Sequence, residues 1–254
     1  MNIQFNNKGV VVVGANRGIG YQVAKAFAAS GGNVTIMAES EDIHTAAVKM
    51  SKETGKSIVS QLCDITDISS LQNAFSNISC IDTLVCNSGV GLRSSLNSPM
   101  EEVADSYRKA INVNVFGTLM LTHVAAEKVQ QGGHIIYTAS TYSKAPQSNF
   151  VAYAATKHAT LGIVRAAAKE LGPSGITVNA VCPGPIHNEV LEMAAKKMGT
   201  TPSNYFLDLT KQQTINRGPI QMSDLVGTYL FLASDSAKQI TGQAINVDKG
   251  EVMF

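Results

Sequence analysis

The sequence predicts an α/β chain: a doubly wound domain built on one parallel sheet of about seven strands. Three observations carry this expectation. Short β-branched runs alternate with longer helical stretches along all 254 residues. The runs are almost continuously apolar, as strands covered on both faces must be, rather than alternating apolar and polar. No Pro/Gly/Ser-rich linker or shift of composition divides the chain, so residues 1–254 read as one domain.

Each element follows from its residues. Gly9 and VVVVG make the first strand, which ends in a glycine loop and leads into the helix YQVAKAFAAS. The second strand, from Asn33 through VTIMA, precedes the helix DIHTAAVKMSKET; the third, Ser57 with IVSQLC, precedes SLQNAF. The fourth strand, Asp82 with TLVC, is followed by a long helical stretch from Met100 to about Val129. Then come Gly133 with HIIYTA, the helix carrying FVAYAATKHATLGIVRAAAKEL, the strand Ile176 with TVNAVC, the helix DLVGTYLFLAS and the last strand, Ala244 with INVD. One segment breaks the rhythm: residues 186–216 are too long for an αβ connection and read as a helical insertion, a lid over the ligand end of the sheet.

Bulk properties exclude several classes. A net charge of +1 with 15% charged residues recommends no nucleic-acid or polyanionic partner. No apolar run approaches the ~18 residues of a membrane helix, and MNIQFNNKGVVVVG shows neither a signal peptide nor an anchor. Cys63, Cys80, Cys86 and Cys182 have no CxxC pairing and no adjacent histidine cluster. They read as buried free thiols of a cytoplasmic protein, with no metal site expected.

Ligands of such sheets bind beyond the carboxyl ends of the strands. There the sequence places VVVVGANRGIG, an apolar strand running into Gly14, Asn16, Arg17, Gly18, Ile19 and Gly20 and then a helix. Glycines allow the sharp turn and leave the helix N-terminus open to a diphosphate, although the spacing is G-x-x-x-G-x-G rather than G-x-G-x-x-G. Asp64 and Ile65 after the third strand suit an adenine edge. Asn87-Ser88-Gly89 after the fourth permits approach of a ribose, and Pro183-Gly184-Pro185-Ile186 after the sixth presents Ile186 to a nicotinamide ring. Each alone reads as an ordinary turn; their joint position on one sheet edge is the signal. On the Ala-rich helix, Tyr153 and Lys157 stand one turn apart on one face, with Cβ atoms ~5–6 Å apart.

Gly14-x-x-x-Gly18-x-Gly20, Asn87-Ser88-Gly89, Asn114 in INVNVFG, Ser140 in IIYTAS and Tyr153-x-x-x-Lys157 together resemble the short-chain dehydrogenase/reductase family. The likeness runs on through Val178-Asn179 and Pro183-Gly184 to Asn246-Val247-Asp248. The resemblance implies a single Rossmann-type domain, hydride exchange between a nicotinamide and a carbonyl/alcohol pair, and assembly as a homotetramer or related oligomer. Tyr153 would be the acid/base, its phenol drawn down from pKa ~10 by the ammonium beside it. Lys157 would also bind the nicotinamide ribose, Ser140 would polarise the carbonyl, and Asn114 would hold a water that relays the proton from Lys157. The chain departs from the family pattern at Val13, where Thr is common, at Cys86 and Ser88 in the usual Asn-Asn-Ala-Gly, and at Asn188, where Thr usually follows Pro-Gly.

Ala38 stands where NAD-preferring relatives carry Asp, and Glu39 where NADP-preferring ones carry Arg. A carboxylate there accepts from ribose hydroxyls and repels a 2′-phosphate, whereas Arg17 attracts one and Ser40 serves either. The balance favours NAD over NADP. The expected substrate is a secondary alcohol/ketone, 3-hydroxyacyl thioesters among them, with a cyclic alcohol, polyol or dihydrodiol as the alternative. Arg93, Tyr142, Gln147 and His187, with Ser94 and Lys144, are the candidates to line its site, and Arg93, Lys144 and His187 suit an anionic group. A non-catalytic nicotinamide-binding subunit is the alternative of another class.

Overall fold

The computed structural model describes residues 3–187, 189–216 and 218–254. Seven parallel strands form one sheet in the order β3-β2-β1-β4-β5-β6-β7. They are β1 (Gly9–Val13), β2 (Asn33–Ala38), β3 (Ile58–Leu62), β4 (Ile81–Cys86), β5 (Val129–Thr138), β6 (Thr177–Pro183) and β7 (Ala244–Val247). The chain winds outward from β1 to β3, then returns across β1 to build β4 to β7. The strand order therefore reverses between β1 and β4, and their carboxyl ends diverge into a crevice.

Strand residues alternate between two apolar layers, because successive side chains of a strand point to opposite faces. Val10, Val12, Ile36, Val85, Ile136 and Val181 pack with α1 (Gly18–Ala29), α2 (Asp42–Thr54) and α9 (Met222–Leu232). Val11, Val13, Met37, Leu84, Cys86, Ile135, Tyr137 and Cys182 face α3 (Ile68–Ser76), α5 (Thr118–Ala126) and α6 (Val151–Leu171). Burial on both faces explains why the strands read as unbroken apolar runs.

The long helical stretch after β4 is not one helix. It divides into α4 (Met100–Ile111), a π-helical turn at Asn112–Gly117, and α5. The turn places Asn114 inward, 2% exposed, and Gly117 against Ile65, where a Cβ would come within 2.7 Å of the Ile65 side chain. Strand β5 begins at Val129, earlier than the sequence suggested, with a register shift against β4 between Ile81 and Thr83. The 186–216 segment contains α7 (Glu189–Lys197) and α8 (Pro202–Leu209). Cys63, Cys86 and Cys182 are buried free thiols, but Cys80 is exposed and donates to Gln130 Oε1 at 3.3 Å, because it precedes β4 instead of lying within the sheet. No helix among the described residues is long and apolar enough to cross a membrane, and none of their His, Cys, Asp and Glu side chains form a group of three or more able to hold a metal.

Candidate active site

The glycine loop forms a cradle at the β1/β4 crevice. Gly14 has φ +81°, and a Cβ there would lie 2.6 Å from Ser88 N, so only glycine lets the two strand-end loops meet. A Cβ on Gly20 would fall 2.1 Å from Gly14 O. Gly18, also at positive φ, has open space over it at the N-terminus of α1, where free N–H groups and the helix dipole favour a diphosphate. Asn87 locks this end: its Nδ2 donates to Gly14 O at 2.7 Å, and its Oδ1 accepts from Thr138 Oγ1 at 2.9 Å. Asn87 is thus a strut between β1, β4 and β5, and Gly89 supplies the approach to the crevice.

Around the end of β2, Glu39 is exposed and, among the described residues, makes no hydrogen bond or ion pair. The carboxylate fixed at this end is Asp42, which the sequence reading did not single out. It accepts from Asn16 Nδ2 at 3.1 Å and from Ser40 Oγ. Ser40, then Asn16, with Arg17 beyond them, hold Asp42 below the usual carboxylate range. After β3, Asp64 Oδ1 accepts from Thr66 N and Oγ1 at 2.8 and 2.7 Å, while Ile65 is 4% exposed against Gly117. Gly184 requires its lack of a Cβ, which would lie 2.9 Å from Asp248 Cβ. Ile186 pairs with Ile220 and is buried in the α9 layer. Asn188 lies outside the described residues.

Residues from four elements converge at the carboxyl ends of β4 and β5. Tyr153 and Lys157 share one face of α6, with Lys157 Nζ 5.7 Å from the Tyr153 ring centroid. Ser140 follows β5 in extended conformation, and its hydroxyl accepts from Tyr142 N at 3.1 Å. The expected depression of the phenol by Lys157 is not what the site produces. Burial raises the Tyr153 pKa above its ordinary value and the Ser140 hydroxyl opposes that rise. Lys157, only 7% exposed, turns its ammonium to Thr138 O at 2.9 Å, and desolvation lowers its pKa to about 8. A Cβ on Gly89 would lie 3.6 Å from Lys157 Nζ and 3.3 Å from Asn114 Oδ1, so the ammonium faces the crevice through this glycine.

Asn114 makes three side-chain hydrogen bonds. Its Oδ1 accepts from Val90 N at 2.8 Å, and its Nδ2 donates to Val90 O at 2.9 Å and Thr156 Oγ1 at 3.0 Å. Both amide hydrogens and one lone pair of the carbonyl are used, so its side chain clamps the loop after β4 to α6.

The candidate substrate residues divide. Tyr142 is brought to the centre, its ring 6.0 Å from Tyr153 and 5.2 Å from Phe150, both edge-on. Arg93 lies over Phe150 at 6.0 Å and donates to Met198 Sδ at 2.8 Å. Gln147 is half-buried beyond the turn after Ser140. Lys144 donates to Ala244 O at 2.8 Å, and His187 pairs with Glu192 at 3.1 Å and stacks on Phe206. Of these three cations only His187 has an acidic partner; Lys144 and Arg93 make single bonds to neutral acceptors and keep further donors. A surface hollow at the opposite, amino ends of the strands, lined by Lys8, Cys80, Asp82 and Gln130, holds none of these residues.

The arrangement offers a glycine cradle for a dinucleotide, a phenol able to exchange a proton, a hydroxyl to polarise an oxygen, and a buried cation between them. Residues 13–251 match the family model described as enoyl-(acyl carrier protein) reductase. A short-chain dehydrogenase/reductase from Armillaria gallica is 32% identical over 251 residues, covering 95% of each chain. The 3-oxoacyl-[acyl-carrier-protein] reductase of Staphylococcus aureus is 31% identical over 257 residues, covering 97% of this chain and 98% of its own. Among solved structures, a blue fluorescent protein from a metagenomic library, in complex with NADPH, superposes with a TM-score of 0.85 at 27% identity, covering 98% of this chain and 100% of its own.

Proposed function

The chain belongs to the short-chain dehydrogenase/reductase family, and we propose that Tyr153, Ser140, Lys157 and Asn114 form the centre at which it acts as an NAD(P)-dependent oxidoreductase on alcohol/ketone substrates. The observation that carries this reading is the convergence of the Ser140 hydroxyl and the Lys157 ammonium on Tyr153, beside the open glycine cradle. When bound in the cradle, the nicotinamide supplies or takes the hydride. Tyr153 Oη gives a proton to the carbonyl oxygen in reduction and takes one from the alcohol in oxidation. Ser140 donates to that same oxygen as negative charge develops. Lys157, anchored on Thr138 O, has further N–H donors for a ribose hydroxyl facing Gly89. Asn114 is a positioning residue that fixes Val90, and hence Gly89, against α6.

NAD is the favoured cofactor in this proposal, because Glu39 and Asp42 both bring negative charge to the ribose end, against Arg17 alone. A panel of secondary alcohols, polyols, cyclic alcohols and 3-hydroxyacyl thioesters, followed by absorbance of the reduced cofactor with NAD and NADP in parallel, tests reaction and cofactor together. Silence across the panel with measurable cofactor binding would favour a non-catalytic role. A homotetramer or related oligomer in the cytoplasm completes the proposal. Its support is the exposed Ile111, Phe116, Leu119 and Val151 on the helices flanking the site and Met253 and Phe254 at the tail, together with the free thiols. Light scattering on the eluting protein measures the assembly.

A further inference from the structure

Thr138 ends β5 with polar groups that serve opposite faces of the sheet. From α6, which packs on one face, the Lys157 ammonium reaches the Thr138 carbonyl at 2.9 Å. The Thr138 side chain points to the other face with Ile136, two positions before it, into the layer shared with α1, α2 and α9. There its hydroxyl meets Asn87 Oδ1 at 2.9 Å and Tyr229 Oη at 2.7 Å. Tyr229 stands on α9, wholly buried among apolar side chains.

The direction of each bond follows by elimination. Gly14 O can only accept, so the Asn87 amide faces it with Nδ2, at 2.7 Å, and turns Oδ1 towards Thr138. A threonine hydroxyl has a single hydrogen, and Asn87 Oδ1 takes it. Tyr229 must therefore donate to Thr138 Oγ1. Burial pushes the Tyr229 phenol far above its ordinary range, and the bond to Thr138 offsets only part of that rise, so the phenol keeps its hydrogen near neutrality. The result is a one-way chain from Tyr229 through Thr138 and Asn87 to Gly14 O. It ends in the cradle: Asn87 N also donates to Val13 O at 2.9 Å, and a Cβ on Gly20, in the first turn of α1, would come within 2.7 Å of Asn87 Nδ2.

We propose that Tyr229 is a positioning residue of the cofactor site: its hydroxyl orients Thr138 and, through Thr138, holds Asn87 under the glycine turn that receives the diphosphate. This rests on the reading of the cradle as a dinucleotide site. A hydroxyl that accepts one hydrogen bond becomes a better donor in the next, so the phenol strengthens the hold of Thr138 on Asn87. Without the phenol hydrogen, the Thr138 hydroxyl is free to turn away from Asn87 Oδ1. Because Lys157 is bound to the carbonyl of the same residue, the cradle and the ammonium share one anchor.

The test is a cycle of Tyr229→Phe, Thr138→Val and the double variant, with Thr138→Ser as the conservative control. It reads Kd for the reduced nicotinamide cofactor by fluorescence titration, KM and kcat in turnover, and Tm without cofactor. Tyr229→Phe keeps the ring and its packing; it is expected to weaken cofactor binding by about 3–10-fold, with the loss in the cofactor KM rather than in kcat. Thr138→Val should weaken binding at least as much and lower Tm, since it leaves both the Tyr229 hydroxyl and Asn87 Oδ1 without their partner. Adding Tyr229→Phe to Thr138→Val should then move Kd by less than about twofold and raise Tm, because the orphaned phenol is removed. Thr138→Ser retains the hydroxyl and should bind cofactor within about twofold of wild type. An unchanged Kd in Tyr229→Phe, a loss of binding that repeats in the Thr138→Val background, or a Tm that falls when Tyr229→Phe is added there would overturn the positioning role alone. A wild type that binds no reduced nicotinamide would overturn the dinucleotide reading and the positioning role with it.

Discussion

Lys157 Nζ donates to the Thr138 carbonyl at 2.9 Å while lying 5.7 Å from the Tyr153 ring centroid. The cation is therefore anchored to the strand end and only adjacent to the phenol. Because Tyr153 stays above its ordinary pKa and is protonated near neutrality, the site at rest is set to donate a proton. Carbonyl reduction is expected to hold its rate up to the phenol pKa, and alcohol oxidation to accelerate as pH rises towards it. Paired pH profiles of kcat/KM in the two directions measure this, and an oxidation rate independent of pH between 7 and 10 would contradict it.

Tyr153→Phe removes the proton-transferring oxygen and little else. Turnover is expected to fall by about 10²–10⁴-fold or more. The Kd for the reduced cofactor, read by fluorescence titration, should move less than about threefold, since ~0.6 kcal/mol covers that change. Comparable turnover in the variant defeats the assigned role.

Lys157 costs the fold stability in its charged form. Its folded pKa of about 8 lies below the ordinary 10.5, so the penalty is fully present below pH 8 and is relieved as pH rises from 8 to 10.5. Lys157→Met should therefore abolish activity yet stabilise the protein at neutral pH, on the order of 1–3 kcal/mol by chemical denaturation. The gain should shrink at pH 10. Destabilisation at pH 7 would mean that the bond to Thr138 outweighs the desolvation.

Cofactor choice should respond more to the fixed carboxylate than to the free one. Glu39→Arg is expected to raise the NADP/NAD ratio of kcat/KM by about tenfold, the scale of one exposed charge reversed next to a phosphate. Asp42→Ala should raise it more than Glu39→Ala does, because Asn16 and Ser40 hold Asp42 in place whereas Glu39 is unrestrained. Parallel steady-state kinetics with both cofactors decide it.

Two glycines of the cradle should separate stability from binding. Gly14→Ala meets the Ser88 backbone at 2.6 Å in a left-handed conformation and should lower Tm markedly, costing about 2–4 kcal/mol. Gly18→Ala meets nothing within 4 Å, so only its positive φ is penalised, by about 1 kcal/mol. The added methyl then stands in the space for the diphosphate, and dinucleotide affinity should fall far more than stability. Equal Tm losses in the two variants would refute the distinction.

Much of this protein was legible in its residues. The β-branched runs placed all seven strands, since a strand covered on both faces has no polar face to interrupt it. The one-turn spacing of Tyr153 and Lys157 put both on one face of α6, because helical periodicity is a local property. The π-helical turn at Asn112–Gly117 was not legible: its residues favour a helix as well as their neighbours do. The widened turn pays off only when Asn114 reaches Val90 and Thr156 and Gly117 meets Ile65.

Sequence alone determined the layer pattern, the glycine cradle and the identity of the phenol and the cation, all of which rest on neighbours within a few positions. Tertiary structure decided what those groups experience. It turned Lys157 to Thr138, left burial to raise the Tyr153 phenol, and fixed the Asp42 carboxylate on Asn16 and Ser40 at the end of β2. Desolvation and charge coupling act through space, between residues whose meeting is set by the order β3-β2-β1-β4-β5-β6-β7 and not by their separation along the chain.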